Sequence, residues 1–279
     1  MDILRYRAFT SDPSNESSGN PAGVVLDAVG LTDADMLAIA AELAYSETAF
    51  LTSITPESAR IRYFTPRAEI AFCGHATIAS GVALARRGAG PVVHLATNAG
   101  DVPVEVSADR ATLVAVETTV ELLDDGILDE LLAALRLERG DLDPALPPAL
   151  VRGGNPHPLV AVRDGVLARL DHDADAVLRL QDRQRWDGTV PVVHRNDETH
   201  FASRNPFPRG GISEDPATGS AAAGLGAYLR AGGHIDLPAV LTVEQGAEVG
   251  RPSLIIVEVP KDGRVRVTGS AEEMMQAAL

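Results

Sequence analysis

The sequence predicts an α+β protein of two similar halves, in each of which a β-sheet wraps around a central α-helix. Three observations carry this. Short segments of period-two alternation recur along the chain, two helix-length stretches are apolar on every side, and those two stretches can be laid on one another.

The strand candidates are Ile3–Phe9, Ala59–Phe64, Val102–Val106, Thr112–Glu117, Val190–His194, Leu241–Glu244, Ser253–Val259 and Val265–Thr268. They are β-branched, alternating and separated by turn signals such as Asp262-Gly263. Amphipathic helices are rarer: Thr32–Leu43, opened by Thr32 or Asp33 as N-cap, and Gly126–Leu135. His75–Arg87 and Thr218–Arg230 are of another kind, full of Ala and Gly and nearly free of charge until their last turn. A helix apolar on all sides is buried on all sides, and its small residues let the surrounding backbone approach closely. Both end in arginine with glycine close behind, a C-terminal stop.

A shift of 145 positions pairs Gly74 with Gly219, Ala76 with Ala221, Gly81 with Gly226, Leu84 with Leu229 and Gly88 with Gly233. The triplet Gly19-Asn20-Pro21 recurs as Gly154-Asn155-Pro156, at a similar shift of 135. The matches keep the same order, so the halves share a design and divide near Thr118–Glu121. The expected domains are 1–118, completed by a C-terminal segment of about 262–279, and 119–261. The proline-rich Asp141–Pro158 reads as a loop inside the second half.

The 279 residues are 45% hydrophobic and 23% charged, ordinary for a globular protein. With 24 basic against 39 acidic residues the formal charge is −15, and no Lys/Arg cluster offers a local patch, which argues against nucleic acid and anionic membrane as partners. The one cysteine rules out a disulfide or a thiolate zinc cage within the chain. Met1–Pro13 carries Arg5 and Arg7 without an apolar stretch, and no apolar run approaches the roughly 20 residues of a membrane span, so a cytoplasmic protein is expected. No Walker loop, dinucleotide fingerprint or Gly-x-Ser-x-Gly elbow is present, so a nucleotide cofactor is not indicated. His172-Asp173-Ala174-Asp175 resembles a metal cluster but reads as a solvated segment.

The chemistry concentrates at the two apolar helix starts. In Glu214-Asp215-Pro216-Ala217-Thr218-Gly219-Ser220, Pro216 suits the first helical position and Asp215 the N-cap, or Thr218 or Ser220 caps a later start. Either way unpaired N–H groups point out of a buried helix and attract an anion such as a carboxylate. Cys73-Gly74-His75-Ala76-Thr77 opens the other helix, with His75 where the dipole keeps imidazole neutral and Cys73 a small buried hydrophobe. Glu47, in Tyr45-Ser46-Glu47-Thr48-Ala49-Phe50-Leu51, is by default a surface residue. Its apolar neighbours are compatible with burial, which would raise its pKa and suit it to proton transfer.

Taken together, Gly19-Asn20-Pro21-Ala22-Gly23-Val24-Val25, Ser46-Glu47-Thr48-Ala49-Phe50, Arg62-Tyr63-Phe64-Thr65-Pro66, Cys73-Gly74-His75-Ala76-Thr77 and Glu214-Asp215-Pro216-Ala217-Thr218-Gly219-Ser220-Ala221 resemble the PhzF-type phenazine-biosynthesis isomerase family, in the family's order and over nearly the whole chain. The resemblance implies the diaminopimelate-epimerase-like fold, an interdomain cleft, a homodimer, and catalysis without metal or organic cofactor. It places the acid/base glutamate on Glu47, the cleft histidine on His75, and the family's aspartate and serine on Asp215 and Ser220. Asn20 and Gly74 are expected to line the cleft, and the N–H groups of Thr218, Gly219 and Ser220 to hold a substrate carboxylate. Related epimerases use two cysteines, whereas only Cys73 stands here, so two-thiol stereoinversion is excluded. The reading is an isomerase that moves a proton, and with it a double bond, on a small unsaturated or cyclic carboxylic acid. Keto-enol tautomerisation, hydrolytic C–C cleavage of a related acid, and a ligand-binding homologue without chemistry are the alternatives.

Overall fold

In a computed structural model describing residues 2–274, one mixed sheet of sixteen strands runs through the molecule. In the first half lie β1 (Ile3–Ala8), β2 (Asn20–Val25), β3 (Glu47–Thr52), β4 (Ser58–Phe64), β5 (Glu69–Ile70), β6 (Val92–Thr97), β7 (Gly100–Val106) and β8 (Arg110–Val114). There follow β9 (Thr119–Leu122), β10 (Ala149–Gly153), β11 (Asn155–Val162), β12 (Val192–Arg195), β13 (His200–Arg204), β14 (Ala239–Gln245), β15 (Ser253–Val259) and β16 (Arg266–Glu273). The helices are α1 (Asp33–Leu43), α2 (Gly74–Ala85), α3 (Asp125–Leu135), α4 (Ala174–Gln184) and α5 (Gly219–Ala231).

The path β1-β2-β3-β4-β6-β7-β8-β16 is closed by pairing of β16 with β1, giving an eight-stranded barrel with no free edge. From β16 the sheet continues through β15, β14, β13, β12, β11 and β10 to β9. From β1 to β8 the successive pairs are antiparallel, parallel, antiparallel, parallel, antiparallel, antiparallel. From β10 to β16 the order is the same. Gly19 and Gly154, which open the repeated triplet, share left-handed φ values of +88° and +92°.

Helix α2 fills the barrel, buried from Gly74 to Leu84, and α5 is buried from Gly219 to Leu229 within the second sheet. Their glycines set how closely the strands approach. A Cβ at Gly81 would lie 3.0 Å from Val106 Cγ1, and one at Gly226 2.9 Å from Val259 Cγ2. Outside, α1 covers the first barrel through Met36 and Ala40, packed with Val25, Phe50 and Phe64. On the second half α3 and α4 bury Leu131, Leu135 and Val177 against β11 and β12, with Trp186 just past the end of α4 in the same cluster.

Thr32 is the N-cap of α1, in a reciprocal capping box with Asp35. Two expectations need correction. The segment 141–158 is not a loop throughout, because β10 and most of the paired part of β11 lie within it. Pro156 and Pro158 sit two apart, so both missing N–H groups fall on the edge facing away from β10, where β12 joins only from Val160. The second correction concerns strands absent from the alternation reading, notably β2, β3 and β11, and the helix α4. Every residue of β2 is buried, as are five of six in β3, because helices cover both faces and erase the polar half of the pattern.

Candidate active site

The starts of α2 and α5 meet head to head. A Cβ on Gly74 would come within 3.1 Å of the Gly219 Cα, so neither position has room for a side chain without movement. In α5 the first intrahelical bond runs from the Ala222 N–H to the Thr218 carbonyl at 3.0 Å, which leaves the N–H groups of Gly219, Ser220 and Ala221 without a partner in the helix. Asp215 is not the N-cap. Gln245 holds Asp215–Thr218 irregular, its Nε2 donating to the Asp215 carbonyl at 2.6 Å and its Oε1 accepting the Thr218 N–H at 3.2 Å. Thr218 takes the cap position, but its hydroxyl donates to Asp215 Oδ2 at 2.6 Å. The Thr218 N–H is therefore spent, and the donors free for a carboxylate begin at Gly219.

Around these starts lies a cavity of about 30 Å3, room for about two waters, lined by Glu47, Cys73, Gly74, His75, Asp215, Thr218, Gly219 and Ser220 among others. Glu47 enters as the first residue of β3, beside Ala22 of β2, and is 5% exposed. Its Oε2 is buried without a hydrogen-bond partner, 3.5 Å from His75 Nε2. Asp215 accepts from Thr218 and, at 2.7 Å, from Asn20 Nδ2. Burial raises both carboxyls above their ordinary range, and the charge of Asp215 pushes Glu47 further, whereas the two donated bonds moderate Asp215. The hydrogen bonds from Thr218 and Asn20 favour the charge on Asp215, and Glu47, whose Oε2 has no donor, is the member that favours the proton. Burial drives His75 down to about 3, so the ring is neutral, and burial with Glu47 beside it pushes the Cys73 thiol up.

Asn20 does not line the cavity. It stands behind the wall, its amide nitrogen within 2.7 Å of Asp215 Oδ1, 3.1 Å of the Ala217 carbonyl and 3.2 Å of His75 Nδ1. Its counterpart Asn155 does line the cavity and donates to the Phe72 carbonyl at 3.2 Å, a role the repeated triplet could have flagged. His157, two residues on, is also unforeseen and is 1% exposed. Its Nδ1 faces the Thr189 carbonyl at 3.1 Å, so the ring proton sits there and Nε2 accepts from Ser220 Oγ at 2.9 Å. Ser220 thus has its hydroxyl proton directed to His157 and its remaining lone pair free. A groove of about 600 Å3 adjoins the cavity, sharing Ile70, Asn155, Asp187 and Phe207 with it. His172 is turned toward Glu214 at 4.0 Å, and Asp173 caps α4, so neither serves this site.

Two halves of one topology around buried helices, with Glu47, His75 and Asp215 between the helix starts, give the diaminopimelate-epimerase-like fold. A hydroxyproline epimerase from Agrobacterium vitis shares the fold, at a TM-score of 0.65 and 16% identity over 98% of this chain and 91% of that one. A Bacillus anthracis protein of the PhzF family superposes at a TM-score of 0.83 and 28% identity, over 99% and 98% of the two chains. Among curated proteins, an uncharacterized isomerase from Clostridium acetobutylicum is 32% identical over 99% of each chain. A trans-2,3-dihydro-3-hydroxyanthranilate isomerase from Pseudomonas fluorescens is 30% identical over 94% of this chain and 93% of its own. The family profile described as phenazine biosynthesis-like protein matches residues 6–277. The chain belongs to this PhzC-PhzF family, an isomerase family by the names its curated members carry.

Proposed function

We propose that the protein is a cofactor-independent isomerase that shifts a proton, and with it a double bond, along a small unsaturated or cyclic carboxylic acid. The observation that carries this is Glu47: a buried carboxyl oxygen with no protein partner, aimed into a cavity beside neutral His75 and charged Asp215. A carboxyl with its pKa moved toward neutrality is matched to both halves of a proton transfer. Its ionised form removes an acidic C–H proton, and the protonated form returns that proton two atoms away on the same face. The N–H groups of Gly219, Ser220 and Ala221 hold the carboxylate and stabilise enolate-like charge as it develops. His75 and Ser220 steady the substrate's polar groups, and Asp215, fixed by Asn20 and Thr218, sets the proton affinity of Glu47.

A cavity of about 30 Å3 is too small for a ring, so substrate enters as the halves part along the adjoining groove of about 600 Å3. The substrate of the Pseudomonas fluorescens relative is the first compound to test. In D2O, NMR with a panel of cyclic unsaturated acids that includes it should show deuterium uptake or double-bond migration. Glu47→Gln should lower the rate by about 10^3-fold or more. Full activity in that variant would remove Glu47 from the chemistry.

A further inference from the structure

The cavity also gathers a thiol, an imidazole and a carboxylate whose spacing is that of metal ligands. We infer that Cys73, His75 and Glu47 form a site for a soft or borderline divalent cation such as Zn2+, and that its occupation blocks the enzyme. Cys73 Sγ lies 3.3 Å from His75 Nδ1 and 3.9 Å from Nε2, and His75 Nε2 lies 3.5 Å from Glu47 Oε2. Tetrahedral Zn2+ with bonds of about 2.0–2.3 Å sets its ligands about 3.3–3.6 Å apart. With His75 Nε2 as the donor, its 3.9 Å to Cys73 Sγ and 3.5 Å to Glu47 Oε2 are near that spacing, and since one donor atom from each residue lies within 4.8 Å of the others, no ligand pair has more than about 1.2 Å left to close.

An independent observation points the same way. Glu47 Oε2 is buried and without a hydrogen-bond partner, and it faces the other two donors. All three residues line the cavity, which leaves room for a water as fourth ligand. On binding, the ion takes up the lone pairs of the thiolate and carboxylate, and their two protons leave to solvent, so no net charge is added to a buried site. Thiolate and imidazole disfavour Mg2+ and Ca2+.

Binding stands on the three donors alone, whereas inhibition rests on the role given to Glu47 and is read as loss of deuterium exchange on adding one equivalent of Zn2+, so the two are tested apart. Co2+ is titrated into the protein at neutral pH and the thiolate-to-cobalt charge-transfer band is followed in the near ultraviolet. One equivalent should saturate the band. Cys73→Ser should abolish it, and His75→Gln and Glu47→Gln should each weaken binding at least tenfold. With the unmodified protein, Zn2+ should slow alkylation of Cys73 by iodoacetamide at least tenfold while Mg2+ leaves it unchanged, which needs no variant to fold. Absence of the band, its survival in Cys73→Ser, or alkylation indifferent to Zn2+ would overturn the inference whatever the isomerase assay shows.

Discussion

Glu47 ties stability to activity through its surroundings. In the unfolded chain it titrates near its ordinary value of 4.5, but in the folded protein burial and Asp215 hold it protonated to higher pH. As pH rises past 4.5 the unfolded chain ionises first, so this residue subtracts stability until the pH reaches its raised folded value. Glu47→Gln removes that cost. The variant should match the wild type near pH 4 and exceed it at pH 8 by on the order of 2 kcal/mol, read from denaturant midpoints at the two pH values. The activity profile has a fixed sign as well. If ionised Glu47 starts the reaction, kcat/KM climbs as pH rises through its raised pKa. A profile falling over that range would make protonated Glu47 the species that acts first. His75 works oppositely on stability: a buried neutral imidazole with its pKa near 3 loses stability for the fold as pH drops below about 6.5.

At the scale of elements, the packing of α5 rests on Gly226, where the modest helix propensity of glycine is outweighed by fit. An added Cβ would meet Val259 Cγ2 at 2.9 Å and Val257 Cγ1 at 3.0 Å, both on stiff β-branched side chains. Gly226→Ala gains up to about 1 kcal/mol of helix propensity but costs about 1–3 kcal/mol in overpacking, so net destabilisation by about 1 kcal/mol is expected. At Gly140 a Cβ meets nothing within 4 Å, and Gly140→Ala should change stability by less than about 0.5 kcal/mol. Thermal unfolding of the two variants side by side checks the contrast. These helices were legible from sequence because they are apolar on all sides. The strands β2 and β11 were not, because burial on both faces removes the alternation that marks a strand, and the cap of α5 stayed open between Asp215, Thr218 and Ser220 because the choice of Thr218 depends on Gln245, 27 residues further on, which holds the segment before it.

For the whole molecule, the repeated order of parallel and antiparallel pairs gives two halves of one topology that meet at the helix starts. Among the described residues β9 pairs only with β10, so the second sheet stays open between β9 and β16, with Leu122 of β9 73% exposed. An open edge beside an exposed apolar residue is a place for another chain to pair. We expect a homodimer, and light scattering behind size exclusion should report twice the mass of one chain. A monomer at micromolar concentration would refute this. None of the helices in the described residues is long and apolar enough to cross a membrane.

The sequence by itself determined the two buried helices and their 145-residue correspondence, since local composition and spacing write these directly, while Glu47, His75, Asp215 and Ser220 were picked out together only by the resemblance of their motifs to a known family. Tertiary structure alone decided which atoms face the cavity. It turned Asn20 behind the wall and Asn155 into it, spent the Thr218 N–H on Gln245, and set His157 against Ser220. Those choices depend on contacts spanning 27 to 195 residues, where hydrogen-bond satisfaction in a closed space selects a partner that neither periodicity nor propensity encodes.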